Sequence, residues 1–198
     1  MGFRNTEGRG GVNRGLFTFQ QAWKHRAQLK QVKKNDFSIK QLIEIKADWL
    51  KSKNIKVLVL DFDGVMAAHG EALPCEEVVS WLQNLSKEYM QKNIYILSNK
   101  PTEERRAYFK ENFPEVTFVG GVRKKPYPDG MLEVVRLSGI EADKIALVDD
   151  RLLTGCLACL LAGAKPIWLT KPYANFKSSP FFESLFGIFR LMDRVFVL

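Results

Sequence analysis

The sequence predicts an α/β fold, a parallel sheet with helices on both faces. Short apolar runs rich in β-branched residues recur, amphipathic stretches separate them, and the intervening loops are short. The first run, KVLVLDF (56–62), suits a strand buried on both faces. A helix over 74–92 follows, with Val78, Val79, Leu82 and Leu85 spaced for one face. NIYILSN (93–99) is the second strand. The segment 101–113 opens with Pro and acids, as a helix N-terminus does. VTFVG (116–120) is the third strand, 128–138 a helix, KIALVDD (144–150) the fourth strand, 152–164 a helix and PIWLT (166–170) the fifth strand. Strand–helix–strand crossovers of this length make the sheet parallel.

Outside this alternation, residues 1–14 form a Gly-rich polar tail of disordered composition. The segment 15–54 is expected to be helical. A basic amphipathic helix runs from Gly15 to Lys33 through Leu16, Phe19, Ala22, Trp23 and Leu29, and a second over 38–52. The remainder divides into a core over 55–170 and an amphipathic extension over 171–198. At 198 residues with 46% hydrophobic composition, the chain can bury a core without disulfide staples. Its three cysteines match no disulfide framework, and a cytoplasmic or otherwise reducing compartment follows. No apolar run is long enough to span a bilayer, and the N-terminus lacks a signal-peptide core. The net charge of +8 favours anionic partners and is concentrated before Lys46. A solvated basic face and a working anion-binding face are both open readings. No strong nucleic-acid signal accompanies the charge, and the oligomeric state is not readable.

Ligands of open parallel sheets bind at the carboxyl ends of strands. Four polar clusters fall there: Asp61-Phe62-Asp63, Ser98-Asn99, Lys124-Lys125-Pro126 and Asp149-Asp150. Apolar runs leading into so many carboxylates are costly unless a cation lies among them. Oxygen-only ligation beside a phosphate suits Mg²⁺. A carboxylate is an effective covalent nucleophile for phosphate. Asp61 would attack, Asp63 would serve as general acid and then base, Ser98 and Asn99 would bind the phosphoryl oxygens, and Lys125 would supply fixed positive charge.

The ordered motifs LDFDGV, ILSN, KKP and LVDD resemble those of the haloacid-dehalogenase superfamily, over about 55–170. The resemblance implies a Rossmann-like sheet of strand order 5-4-1-2-3 and an aspartyl-phosphate route. It also implies Mg²⁺ on Asp61, the main-chain carbonyl of Asp63, and Asp150. The stretch between Asp63 and Ser98 reads as a loop plus one helix, so no cap domain fits there. A finer resemblance, through KKPYPDGMLEVVRLSGI, KIALVDDRLLTG and FFESLFGIFRLMDR, is to the type IIIA branch containing phosphatidylglycerophosphate phosphatases. It implies a phosphomonoester substrate on a phospholipid headgroup, and the basic N-terminal region with the Phe-rich C-terminal stretch suggests an anionic membrane surface as partner. The branch pattern has Gly where this chain has Asp149, an acid where it has Gly155, and Asn where it has Gly64.

A soluble phosphatase acting on a sugar phosphate, nucleotide or polynucleotide end, and a non-catalytic binding module, remain alternative readings. Cys156 and Cys159 read as packed core thiols; His25 and His69 have no ligand spacing. Gly2 with Thr6 fits a loose N-myristoylation pattern that chance also produces. The Phe-rich stretch 180–198 is either a terminal core helix or an interfacial one.

Overall fold

The computed structural model describes residues 11–197, so the lipidation pattern and most of the tail lie outside the described residues. Six parallel strands form one sheet: β1 (Ser38–Ile39), β2 (Val57–Leu60), β3 (Ile94–Ile96), β4 (Thr117–Phe118), β5 (Ile145–Asp149) and β6 (Lys165–Leu169). Their spatial order is β1-β6-β5-β2-β3-β4. Without β1, this is the expected 5-4-1-2-3.

Alternation along the strands divides the core. Leu58, Leu60, Ile94, Ile96, Ala146 and Val148 face α4 (Glu76–Glu88) and α5 (Glu103–Asn112). Val57, Val59, Tyr95, Ile145 and Leu147 face α6 (Asp129–Ser138) and α7 (Leu157–Leu161). Cys156 and Cys159 are free and buried. The crossover from β2 to β3 holds a loop, α4 and one short turn, with no inserted domain.

The N-terminal segment departs from expectation in three places. A helix already runs at Gly11, inside the segment assigned to the tail, and the single helix over 15–33 is two: α1 (Gly11–Lys24) and α2 (Arg26–Lys34), with His25 between. The helix expected over 38–52 is helical only at α3 (Ala47–Ser52). Before it, β1 adds the sixth strand. The sheet edge explains this. The Trp168 and Thr170 N–H groups donate to the carbonyls of Phe37 and Ile39 at 2.8 and 2.9 Å, and buried donors outweigh local helical periodicity. Pro166, two residues before Trp168 on β6, has no N–H to offer on that side, so pairing begins at Ser38 opposite Trp168.

The C-terminal helix α8 (Pro180–Phe196) lies across the carboxyl end of the sheet with its polarity inverted. Glu183, Arg190 and Asp193 are buried, whereas Phe181, Phe182, Ile188, Leu191, Met192 and Val195 are more than half exposed. Neither expectation for this stretch anticipated charges facing inward.

Candidate active site

The site is assembled from four strand-end loops. Asp61 follows β2, and its N–H donates to the Val148 carbonyl of β5 at 3.0 Å. Phe62 turns into the core, which leaves Asp61 and Asp63 above the sheet. The loop then reverses at Gly64, with φ +83° and its N–H on the Ala67 carbonyl at 2.7 Å. A Cβ there would stand 2.8 Å from Asp150 Oδ2, so both the backbone angle and the close approach require glycine.

Lys125 is the hub. Its buried Nζ lies 2.9 Å from Asp61 Oδ1 and 2.6 Å from Asp149 Oδ2. Its N–H donates to Asn99 Oδ1 at 2.8 Å, which ties the second motif to the third. Burial alone would lower the ammonium's pKa; Asp149 and Asp61 outweigh it and hold the pKa above the usual value. Burial pushes the Asp61 carboxyl well above the carboxylate range; Lys125 opposes the rise, and Asp149 and Asp150 add to it. Asp150 is raised to about 6 by burial and by Asp149, against the pull of Arg190.

Oxygens of Asp61, Asp149 and Asp150 lie within 4.8 Å of one another. An all-oxygen set of buried carboxylates fits a hard divalent cation, which would relieve the repulsion that lifts their pKa values. The structure thus brings Asp61, Lys125, Asp149 and Asp150 together. Ser98 is buried just after β3, its Oγ accepting from the Lys100 N–H at 3.1 Å, and it makes no hydrogen bond to that cluster.

The Asp63 carboxylate is held elsewhere. Arg105 grips it through two hydrogen bonds of 2.7 and 3.0 Å, donates also to the carbonyls of Glu71 and Lys100, and lies over the Phe62 ring at 3.8 Å. Arg105 is 2% exposed and was not singled out from sequence. The available signal was its place on α5, one turn before the buried Phe109.

Three inward charges of α8 were missed as well. Arg190 Nε donates to Asp150 Oδ2 at 2.5 Å. Asp193 takes two hydrogen bonds from Arg151, at 2.7 and 3.1 Å. Glu183 accepts from the His69 N–H at 3.0 Å. His69 stacks on Phe186 with 3.7 Å between centroids, and its Nδ1 lies 3.3 Å from Arg190 Nη2. Burial and Arg190 lower its pKa to about 4, so it is neutral and accepts from the guanidinium.

Asp149 and Gly155 explain each other. After β5 the chain makes a π turn over Leu152–Cys156, and a Cβ on Gly155 would coincide with the Asp149 carboxylate. Asp149 therefore requires glycine at 155, because the carboxylate fills the space a side chain there would take.

Residues 18–174 match the family model described as mitochondrial PGP phosphatase. The chain belongs to that family. It is a phosphatase. No curated protein shows significant similarity to it. Among solved structures it is similar to an uncharacterized protein from Corynebacterium glutamicum, with 22% identity and a TM-score of 0.45 over 68% of this chain and 95% of that one. A cobalt-bound deoxy-D-mannose-octulosonate 8-phosphate phosphatase from Haemophilus influenzae shows 19% identity and a TM-score of 0.46, covering 74% and 90%. A haloacid-dehalogenase family enzyme from Bacteroides thetaiotaomicron, in complex with magnesium and inorganic phosphate, shows 13% identity and a TM-score of 0.41, covering 63% and 98%.

Proposed function

We propose that this phosphatase hydrolyses the terminal phosphomonoester of phosphatidylglycerophosphate, or of a lipid with a like headgroup, at an anionic membrane surface. The observation that carries the chemistry is the buried cluster in which Lys125 bridges Asp61 and Asp149 beside Asp150.

Asp61 is the nucleophile. Its oxygen forms the new bond to phosphorus as the bond to the glycerol oxygen breaks, and Asp63, which must leave its ion pair with Arg105 to do so, gives its proton to that oxygen. Asp63 then takes a proton from the water that attacks the aspartyl-phosphate, releasing inorganic phosphate and restoring Asp61. Lys125, Ser98 and Asn99 hold the phosphoryl oxygens. Lys125 also opposes the burial that favours the protonated form of Asp61, and so helps the attacking carboxylate to form. Mg²⁺ on Asp61, Asp150 and the main-chain carbonyl of Asp63, with Asp149 completing the carboxylate triad, would neutralise charge developing on the phosphoryl group.

The outer surface supports a lipid substrate. Leu16, Phe19 and Trp23 of α1 are exposed, and Phe19 meets Phe196 of α8 at 5.8 Å, so the apolar faces of the two helices adjoin. Basic groups border them: Arg26 and Lys33 of α2 donate to the carbonyls of Phe196 and Arg194. An apolar face rimmed by Lys and Arg suits an anionic interface. No helix among the described residues is long and apolar enough to cross a membrane. The inner side of α8 meanwhile touches Asp150, which sets the surface and the site on opposite sides of one helix.

The test is Mg²⁺-dependent phosphate release from phosphatidylglycerophosphate in anionic and in zwitterionic vesicles, with p-nitrophenyl phosphate and sugar phosphates alongside. Turnover that prefers the anionic vesicles and weakens with salt supports the reading. Efficient turnover of soluble substrates alone would replace the lipid with a soluble phosphomonoester.

A further inference from the structure

A cavity of about 400 Å³ lies between the loop after β3 and the loop after β4, and Asn99 on its wall accepts the N–H of Lys125. Ser98 and Asn99, assigned above to the phosphoryl oxygens, line it, and Lys124 on its wall immediately precedes Lys125. A cavity of this size lies within the range of ligand sites. Its chemistry is cationic. Lys100, Arg123 and Lys124 line it, and no Asp or Glu does. Arg123 is paired with Asp129 at 2.7 Å, whereas no described carboxylate lies within ion-pair range of Lys100 or Lys124.

The backbone points the same way. Beyond β4 the chain turns through Gly120 and Gly121, the latter at φ +72°. None of the N–H groups of residues 120–124 donates to another described residue. N–H groups without a partner among the described residues, beside two lysines with no ion pair there, are available to an anion. A larger cavity, of about 700 Å³, contrasts with this: Glu71, Glu76 and Glu104 line it. The molecule thus keeps a basic space apart from an acidic one.

We infer that the basic cavity binds a second, permanent anion of the substrate, a phosphodiester one glycerol unit away from the phosphomonoester under attack. This rests on the proposed placement of the phosphomonoester at Asp61, Ser98 and Lys125. A phosphodiester keeps one negative charge at every physiological pH and offers two unesterified oxygens, which matches two ammonium groups and a row of N–H donors. The cavity thereby selects phosphomonoesters that carry a neighbouring diester over simple ones.

Two readouts test it. The first is kcat/KM for glycerol 3-phosphate against the deacylated headgroup, glycerophosphoglycerol phosphate. The wild type should prefer the latter. Lys100→Ala combined with Lys124→Ala should cut the preference by about tenfold or more, through KM, since a charge-assisted hydrogen bond contributes on that scale. The second readout needs no turnover: calorimetric binding of glycerophosphoglycerol, which has the diester and no monoester. It should bind the wild type and Asp61→Asn alike, and more than tenfold more weakly to the double lysine variant. Unchanged diester binding in the double variant would overturn the inference, as would equal losses on both substrates. Diester binding lost in that variant, with neither substrate hydrolysed by the wild type, would uphold the subsite and remove the proposed hydrolysis instead.

Discussion

Helices α4 and α8 have the same amphipathic grammar and bury opposite faces. α4 turns Val78, Trp81, Leu82 and Leu85 onto the sheet and leaves its charges in water. α8 turns Glu183, Arg190 and Asp193 inward and leaves six large apolar side chains more than half exposed. The difference lies in what each helix meets. α4 packs on the side of the sheet, where every neighbour is apolar. α8 crosses the carboxyl end, where Asp150 and Arg151 stand and the His69 N–H needs an acceptor. Periodicity shows that a helix has two faces; the partner decides which one is buried.

The largest effect on the fold is expected from Arg190→Met in metal-free protein. It leaves the buried Asp150 without its counter-charge, which costs about 3–5 kcal/mol. Thermal melts with and without Mg²⁺ check this, because a cation can replace the lost charge. The variant should gain more from Mg²⁺ than the wild type does, and an equal gain would mean that Arg190 and the cation do not share Asp150. Leu82→Ala on α4 is expected to cost about 2–5 kcal/mol by denaturant titration, with no such recovery.

A smaller effect is tied to pH. The pKa values of Asp61 and Asp150 are raised in the fold, so their contribution to stability is present below the ordinary carboxylate pKa. It is lost as pH rises through the folded values, about 6 for Asp150. The metal-free protein should therefore weaken between pH 4 and 7, and Mg²⁺ should raise the melting temperature more at pH 7.5 than at pH 5. Equal Mg²⁺ shifts at the two pH values would remove these carboxylates from the metal site. The smallest effect on stability belongs to the outer face of α8. Phe182, Ile188 and Leu191 replaced together by Ser should change stability by only about 0.5 kcal/mol per site while abolishing adsorption to anionic vesicles. Phe186 is left in place because it stacks on His69. An unfolded triple variant would show that this face is core.

The fold was legible wherever strands ran into polar clusters. The runs at 56–62, 93–99 and 144–150 pair a buried strand with a functional end, and neighbouring positions tell which residues leave the sheet. β1 was not legible, because Ser38 and Ile39 become a strand only through donors on β6, more than a hundred residues away. Asp61, Ser98 and Asp150 could be named as candidates because each closely follows a strand, and Lys125 because it lies in the loop after β4. Arg105 and Arg190 could not, since a charged residue on a helix has its usual explanation in solvent. Their meaning comes from Asp63 and Asp150, brought to them by topology. Gly155 was informative in sequence as an oddity, and intelligible only once the Asp149 carboxylate was seen in the space its side chain would fill.

The central claim is that Asp61 takes the phosphoryl group. Asp61→Asn keeps shape and hydrogen bonding and removes the attacking charge. Single-turnover phosphate release with Mg²⁺, paired with acid-quench detection of a phosphorylated Asp61 in the wild type, addresses it most directly. The expected result is a phosphorylated Asp61 peptide in the wild type, absent from a folded Asp61→Asn variant whose turnover is at least about a thousandfold lower. A variant that still hydrolyses substrate at a comparable rate, or phosphate found on another residue, would contradict the assignment.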